Sequence, residues 1–368
     1  MLNLERYDRQ IKLQGFGIEA QEKLASAKVL VIGAGGLGCP VLQYLVAAGV
    51  GNIGIVDDDK VSLSNLHRQI LFTSNDIGKL KTEAAFERLK AMNPDVNIKI
   101  ISEQITTENA FEIILNYDFI IDCTDNFPTR YLLDDACRIL KKPLIFGAIY
   151  QYEGQIAVFN VEDNDGRTAN YRNLFPEPPK PEEIPDCNDA GVLGVLPGII
   201  GTIQATEAIK LITGIGEPLV NKLMTINVMD YQTAIFEIPA ENLNNQNFPS
   251  TIAEFEKMNY DLHCGIVQKG ITNISALEFN KIAELPETIV IDVREPEENP
   301  KLEIPYLSIP LAQLKDYANQ IINRNVIVVC QSGKRSIAGA QVLKEILGKE
   351  YNISHLEGGI NNLIKIND

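Results

Sequence analysis

Residues 28–57, KVLVIGAGGLGCPVLQYLVAAGVGNIGIVD, decide the fold. From Val29 to Val56 no residue is charged, and the run of 28 exceeds the roughly 20 residues that cross a bilayer. Gly33, Gly35, Gly36, Gly38, Gly49, Gly51 and Gly54, together with Pro40, argue against one long helix. Read by period, the stretch divides into an apolar run (29–32), a glycine-rich turn, a helical piece (40–48) and a second apolar run (52–56). Parallel strands covered on both faces read as continuous apolar runs. The segment is therefore a buried β-α-β unit, and the membrane reading is rejected.

The same alternation continues outward. Residues 96–102, 118–126, 143–150 and 154–161 are strand candidates, and 109–116, 128–140 and 191–213 read as helices. The fold class this implies is α/β, a Rossmann-like, doubly wound, mostly parallel sheet. Residues 176–189 (PEPPKPEEIPDCND) read as an exposed loop, because prolines and acids fill them. Around 241–270 the pattern decays into polar, Asn-rich sequence, which reads as a linker. A second α/β pattern follows over 271–368, with strands at 288–293, 325–330 and near 354–357, and helices at 275–284 and 335–347. The expected organisation is a domain over 1–240, the linker, and a small domain over 271–368.

The chain has 368 residues with 33 Lys and Arg against 49 Asp and Glu, a net charge of -16. A nucleic-acid binder shows the opposite excess, so that class is disfavoured. Six Cys and a charged start (MLNLERYDRQ) are the pattern of free thiols in a reducing cytoplasm, without a signal peptide.

GAGGLG (33–38) lies between strand and helix, where backbone N–H groups and a helix N-terminus can approach phosphates. Asp57 ends the next strand, where a carboxylate can accept from ribose hydroxyls. A dinucleotide site would share both features. SNLHRQ (64–69), GKLK (78–81) and DCTDNFPTR (122–130) add Asn65, Arg68, Lys79, Lys81, Asp125 and Asn126. Cations with a carboxylate able to hold Mg²⁺ suit a triphosphate, and hydride transfer would need neither. A nicotinamide-dependent oxidoreductase is thus the weaker alternative.

RYDRQI (6–11), GAGGLGCP, SNLHRQI, GKLK, DCTDNFPTR and DAGVLGVLPGIIGTIQATEAIKL (189–211) resemble the MoeB/ThiF family. These are the adenylyltransferases of molybdopterin and thiamine biosynthesis, relatives of ubiquitin-activating enzymes. The resemblance implies that ATP activates the C-terminal Gly-Gly carboxylate of a ubiquitin-like sulfur-carrier protein. It implies that Gly36, Asp57, Ser64, Asn65, Arg68, Lys81, Asp125 and Asn126 contact ATP. Asp125 would hold Mg²⁺, and Arg9 would reach the phosphates in the other subunit of a homodimer. On so acidic a chain Arg9, Arg68 and Lys81 would form a local basic island. The family also implies a reactive Cys187 in the proline-rich loop.

Many relatives hold zinc with two Cys-x-x-Cys pairs. Here the first place reads Asn170-Tyr-Arg-Asn173 and the second Asp261-Leu-His-Cys264. Amides are poor zinc ligands, so no structural zinc is expected. Cys39, Cys123 and Cys137 fall on apolar faces and read as packing residues. Cys330 instead ends a strand and opens CQSGKRS (330–336), which leads into a helix; backbone N–H groups of such a turn, with Lys334 and Arg335, favour a thiolate. With DVREPEE (292–298) and LEGGI (356–360), residues 271–368 resemble a rhodanese domain, in which Cys330 would carry a persulfide. The segment after DVREPEE is shorter than usual and lacks a Gly-His pair. The expected sequence of events is adenylation, loading of Cys330 by a donor such as a cysteine desulfurase, and attack of the persulfide on the acyl group. Cys187 would then release the thiocarboxylate by forming a disulfide with Cys330. The alternative is a rhodanese fold used for docking alone.

Overall fold

The computed structural model describes residues 3–178, 191–239, 248–264, 270–348 and 350–367, with the backbone alone at Leu262, Lys334 and 364–367. They form two compact units, divided between Met258 and Asn259.

The first unit is built on a sheet of strand order β3-β2-β1-β4-β5-β6-β7-β8. Its strands are β1 (Lys28–Ile32), β2 (Asn52–Val56), β3 (Asn97–Ile101), β4 (Phe119–Asp122), β5 (Leu144–Tyr150), β6 (Glu153–Phe159), β7 (Lys222–Asn227) and β8 (Thr233–Glu237). Helices α1 (Asp8–Ile11), α2 (Gly17–Ser26), α3 (Gly38–Ala48), α4 (Lys81–Met92), α5 (Ala110–Ile114), α6 (Phe127–Leu140), α7 (Tyr171–Leu174), α8 (Leu196–Thr213) and α9 (Ile252–Phe255) accompany it. Strands β1 to β5 run parallel, and β6 to β8 continue the sheet antiparallel. The apolar run of 29–32 is β1, whose residues 29 to 32 are all buried. Strand order reverses between β1 and β4, and ligands of doubly wound sheets bind at the carboxyl ends of the strands there.

Two glycines of GAGGLG are required by backbone geometry. Gly33 has φ +96°, and a Cβ on Gly38 would overlap the Gly33 carbonyl oxygen. That leaves Gly35 and Gly36 to face the space above the strands. Helix α8 begins at Leu196, five residues later than the sequence pattern suggests, with Pro197 in its first turn. Residues 191–195 instead lie against the β5–β6 turn, where Val192 bridges Gln151 and Leu193 N–H donates to the Gln151 carbonyl.

In place of cysteine pairs, the corner around α7 is held by charge and aromatic packing. Asn170 and Asn173 cap α7 reciprocally. Arg172, fully buried, donates from Nε and Nη2 to the two oxygens of Asp135 at 2.9 and 2.7 Å. Its guanidinium lies 4.7 Å from the Tyr131 ring centroid and 4.1 Å from that of Phe248. Arg138 bridges Asp135 and the Pro249 carbonyl. Phe255 of α9 packs edge-on against Phe111, so the 248–258 part of the sequence expected to be a linker lies within the first unit.

Beside this pair, burial and the charge of Asp135 push the Asp134 carboxyl up to about 7. The folded state then binds more protons than the unfolded chain between about pH 4 and pH 7, so Asp134 subtracts stability as the pH rises through that window. Asp134→Asn keeps the acceptor for Tyr171 N–H and removes the charge. Its thermal midpoint relative to the parent should rise between about pH 5 and pH 8. An offset that stays constant over that range contradicts this account.

The second unit contains β9 (Ile271–Ile274), β10 (Thr288–Asp292), β11 (Leu307–Ser308), β12 (Asn325–Val329) and β13 (Asn352–Leu356). They form a fully parallel sheet of order β11-β10-β12-β13-β9. Helices α10 (Tyr260–His263), α11 (Ala276–Ile282), α12 (Leu314–Tyr317), α13 (Lys334–Leu347) and α14 (Ile360–Asn367) complete it. Core side chains from β10, β12 and β13 pack with Leu314, Ala340 and Leu343 on one side and with Phe279 on the other.

Candidate active site

A cavity of about 670 Å³ opens at the carboxyl ends of β1, β2 and β4. Gly36, Asp57, Ser64, Asn65, Arg68, Lys81, Asp125 and Asn126 all line it. Arg9 does not; it is exposed on α1. Cys187 lies outside the described residues.

Asp57 is fixed by its neighbours. Its carboxylate accepts from Ala34 N–H at 2.7 Å and from Asp59 N–H at 2.9 Å. Burial pushes the carboxyl up, and Lys81 and these N–H groups oppose that shift. Lys81 Nζ sits 2.7 Å from Asp59 Oδ2 and 3.8 Å from Asp57 Oδ1, and its ammonium has three donors, which leaves capacity for a phosphate. Arg68 Nη1 contacts His67 Nε2 at 2.7 Å and donates to the Ser64 carbonyl at 3.2 Å. Asn126 caps α6, its Oδ1 accepting from Thr129 N–H. Asp125 is exposed to the cavity. Lys79, by contrast, pairs with Asp76 and Glu87 and does not line the cavity.

Two further residues line the cavity, and a third, buried beneath it, holds its loop. Gln69 is buried in the cavity wall with Oε1 unpartnered, one turn beyond Asn65, to whose carbonyl its N–H donates. Arg130 lines the floor, donates to the Thr124 carbonyl at 3.1 Å and lies 5.5 and 5.6 Å from the Phe127 and Phe146 ring centroids. Asp122 holds Thr124 from the other side, accepting from its N–H and hydroxyl at 2.9 and 2.7 Å. Both Gln69 and Arg130 sit inside the quoted motifs. Their helical spacing from Asn65 and Asn126 was the available signal.

Cys330 occupies a separate cradle in the second unit. Its fully buried sulfur accepts N–H bonds from Gly333 and Ser336, each at 3.2 Å. These are the donors that hold negative charge on sulfur in a strand-loop-helix turn. The LEGGI turn secures the loop, since Ile360 N–H donates to the Cys330 carbonyl and Asn361 N–H to that of Gln331. Behind the sulfur, Ser336 Oγ lies 3.5 Å from His355 Nδ1, and burial holds that imidazole down at about 4. Arg335 is engaged by Glu298, and the Lys334 side chain lies outside the described residues. Cys39, Cys123 and Cys137 are buried, and burial pushes the Cys39 thiol up to about 12 and the other two higher than usual. Such thiols are packing residues.

The ThiF family matches residues 7–249, and the rhodanese-like domain matches residues 275–365. The chain belongs to the ThiF family. A "Sulfur carrier protein adenylyltransferase" of Thermus thermophilus is 51% identical over 62% of this chain and 84% of its own length. Two relatives cover both units. "Adenylyltransferase and sulfurtransferase MOCS3" of Drosophila virilis is 36% identical over 97% of this chain and 82% of its own. "Probable adenylyltransferase/sulfurtransferase MoeZ" of Mycobacterium tuberculosis is 37% identical over 96% and 91%. These relatives are enzymes, as is this ThiF-family chain. The fold is also that of Escherichia coli MccB, solved with AMPCPP and MccA, at TM-score 0.56 and 24% identity over 66% of this chain and 73% of that one.

Proposed function

We propose that the first unit adenylates the C-terminal Gly-Gly carboxylate of a ubiquitin-like sulfur-carrier protein with ATP, and that Cys330 supplies the sulfur that replaces a carboxylate oxygen. The observation that carries the reading is one cavity bringing together a glycine cradle, a strand-end carboxylate, the three cations Arg68, Lys81 and Arg130, and the partner-free Gln69 oxygen. In the adenylation step a carboxylate oxygen bonds the α-phosphorus of ATP and pyrophosphate leaves. Two anions meet there, so neutralisation by Arg68 and Lys81 is the main contribution of the chain. Asp125, a hard oxygen donor at the cavity mouth, fits Mg²⁺, which when bound neutralises phosphate charge. Arg9, exposed outside its own cavity, serves the site of a second copy in a homodimer.

Sulfur transfer follows as a balanced sequence. The Cys330 persulfide bonds the acyl carbon and AMP leaves, giving an acyl disulfide. A thiolate at Cys187 then bonds the Cys330 sulfur, the thiocarboxylate departs, and an external thiol reduces the resulting disulfide. The donor that loads Cys330 is a persulfide-bearing enzyme such as a cysteine desulfurase. The pathways that suit the product are molybdopterin or thiamine biosynthesis. Cys39, Cys123, Cys137 and Cys330 are free thiols, which supports a reducing cytoplasm. Among the described residues no helix is long and apolar enough to cross a membrane.

ATP–pyrophosphate exchange tests the first half. Exchange should require a carrier ending in Gly-Gly and vanish when the tail is truncated. Exchange that is absent with every carrier of the host, or indifferent to the tail, overturns the reading.

A further inference from the structure

The strap that crosses the Cys330 loop carries charge that the sulfur-transfer scheme does not use. Residues 295–298 close a turn, with Glu298 N–H donating to the Glu295 carbonyl at 3.0 Å and Glu295 N–H donating to Glu298 Oε1 at 3.0 Å. The carboxylate fixed in this way takes the Arg335 guanidinium two-pronged, Nη1 to Oε1 at 2.5 Å and Nη2 to Oε2 at 2.7 Å. Arg335 stands next to Ser336, the residue whose N–H donates to the Cys330 sulfur. Its hydrogen bonds hold the Glu298 carboxyl down at about 2, so this charge is present throughout the working range. The strap is anchored on its other side by buried Arg294, which grips Asp292 and donates to the Gln331 side chain at 2.7 Å. Glu295 and Glu297 are exposed on the same turn.

We propose that Glu298 sets the class of sulfur donor: by occupying Arg335 on an acidic strap, it selects against small anionic donors such as thiosulfate and leaves the cradle to donors without negative charge beside the reactive sulfur. The proposal rests on the sulfur-transfer role of Cys330. Thiosulfate carries two negative charges; when the Cys330 thiolate takes its outer sulfur, the S–S bond to the sulfonate breaks and sulfite leaves with the bonding pair. A free guanidinium beside the loop would hold that anion. Arg335 is already paired with Glu298, and the turn that supplies this carboxylate adds the exposed Glu295 and Glu297 to the negative charge an incoming dianion must approach. Glu298 is thus a specificity residue acting through Arg335, and the arrangement needs no movement of the cradle.

Paired alkylating agents read this directly in the full-length chain. Iodoacetate and iodoacetamide both transfer a two-carbon group to the Cys330 thiolate with loss of iodide, and they differ by one negative charge. The ratio of their rates at the Cys330 peptide, measured by mass spectrometry, cancels changes in thiolate fraction and in access. E298Q should raise the iodoacetate-to-iodoacetamide ratio about five- to tenfold at low salt, with the gain shrinking in high salt. The KM for thiosulfate in sulfur transfer to cyanide should fall by a similar factor, with kcat changed much less. E298D, which retains the charge, should stay near the parent ratio, and R335Q added to E298Q should abolish the gain. Equal acceleration of both reagents by E298Q, or an unchanged ratio in a variant with native thermal stability, overturns the proposal. If neither sulfur transfer nor alkylation at this peptide occurs in the parent, the role of Cys330 itself fails instead.

Discussion

Asp125→Ala should lower carrier-dependent ATP–pyrophosphate exchange about 100- to 1,000-fold, the range seen when one preorganised electrostatic contact to a reacting group is removed. The expectation is specific because Asp125 has no described structural task. It follows β4 at the cavity mouth, is exposed, and its carboxylate makes no hydrogen bond or ion pair with the described residues. The loop beneath it is secured independently, since Asp122 and Arg130 hold Thr124 and Asn126 caps α6. The variant should therefore keep its thermal midpoint within about a degree, because exposed substitutions of this kind sit near zero in stability. Its apparent Mg²⁺ requirement should rise. An exchange rate that survives the substitution unchanged would remove Asp125 from the chemistry.

The second large effect is on stability. Arg172→Met should cost about 3–5 kcal/mol, because it leaves the Asp135 carboxylate buried with its bidentate partner gone. The guanidinium also stacks on Tyr131 and Phe248, so packing is lost with the charge. Arg138, which reaches Asp135 at 3.2 Å, limits the loss. Denaturant unfolding of the variant is the measurement, with Arg172→Met combined with Asp135→Leu as the comparison. The double substitution should recover a large part of the loss, since removing both charges avoids the stranded ion. A double variant no more stable than the single one would locate the cost in packing instead.

How legible the molecule was depended on the range of the interaction. The β-α-β unit of 28–57 could be read because its periodicity and glycines are local, and Gly33 and Gly38 proved to be demanded by backbone approach alone. Except for Arg9, the site positions drawn from the family motifs line one cavity, because the glycine loop, Asp57, Asp125 and Asn126 follow strand ends that a doubly wound sheet brings together. Strands β7 and β8 were not foreseen. Residues of β8 are largely exposed on both faces, so no inward-outward alternation marks them, and with β6 they make that end of the sheet antiparallel. The α7 corner was equally opaque, because Arg172 meets Asp135 across 37 positions and neither residue type announces a buried pair. The Arg335–Glu298 pair spans 37 positions too. The amide pair Asn170 and Asn173, which read only as missing zinc ligands, is a reciprocal helix cap.

Both units are expected to serve one product. Incubating the full chain with ATP, a Gly-Gly-ended carrier and a persulfide donor, and weighing the carrier by intact mass spectrometry, tests that directly. The mass should rise by the difference between sulfur and oxygen. With Cys330→Ala the carrier should stay at its carboxylate mass while pyrophosphate exchange continues. Thiocarboxylate formed at the parent rate by Cys330→Ala would contradict the account.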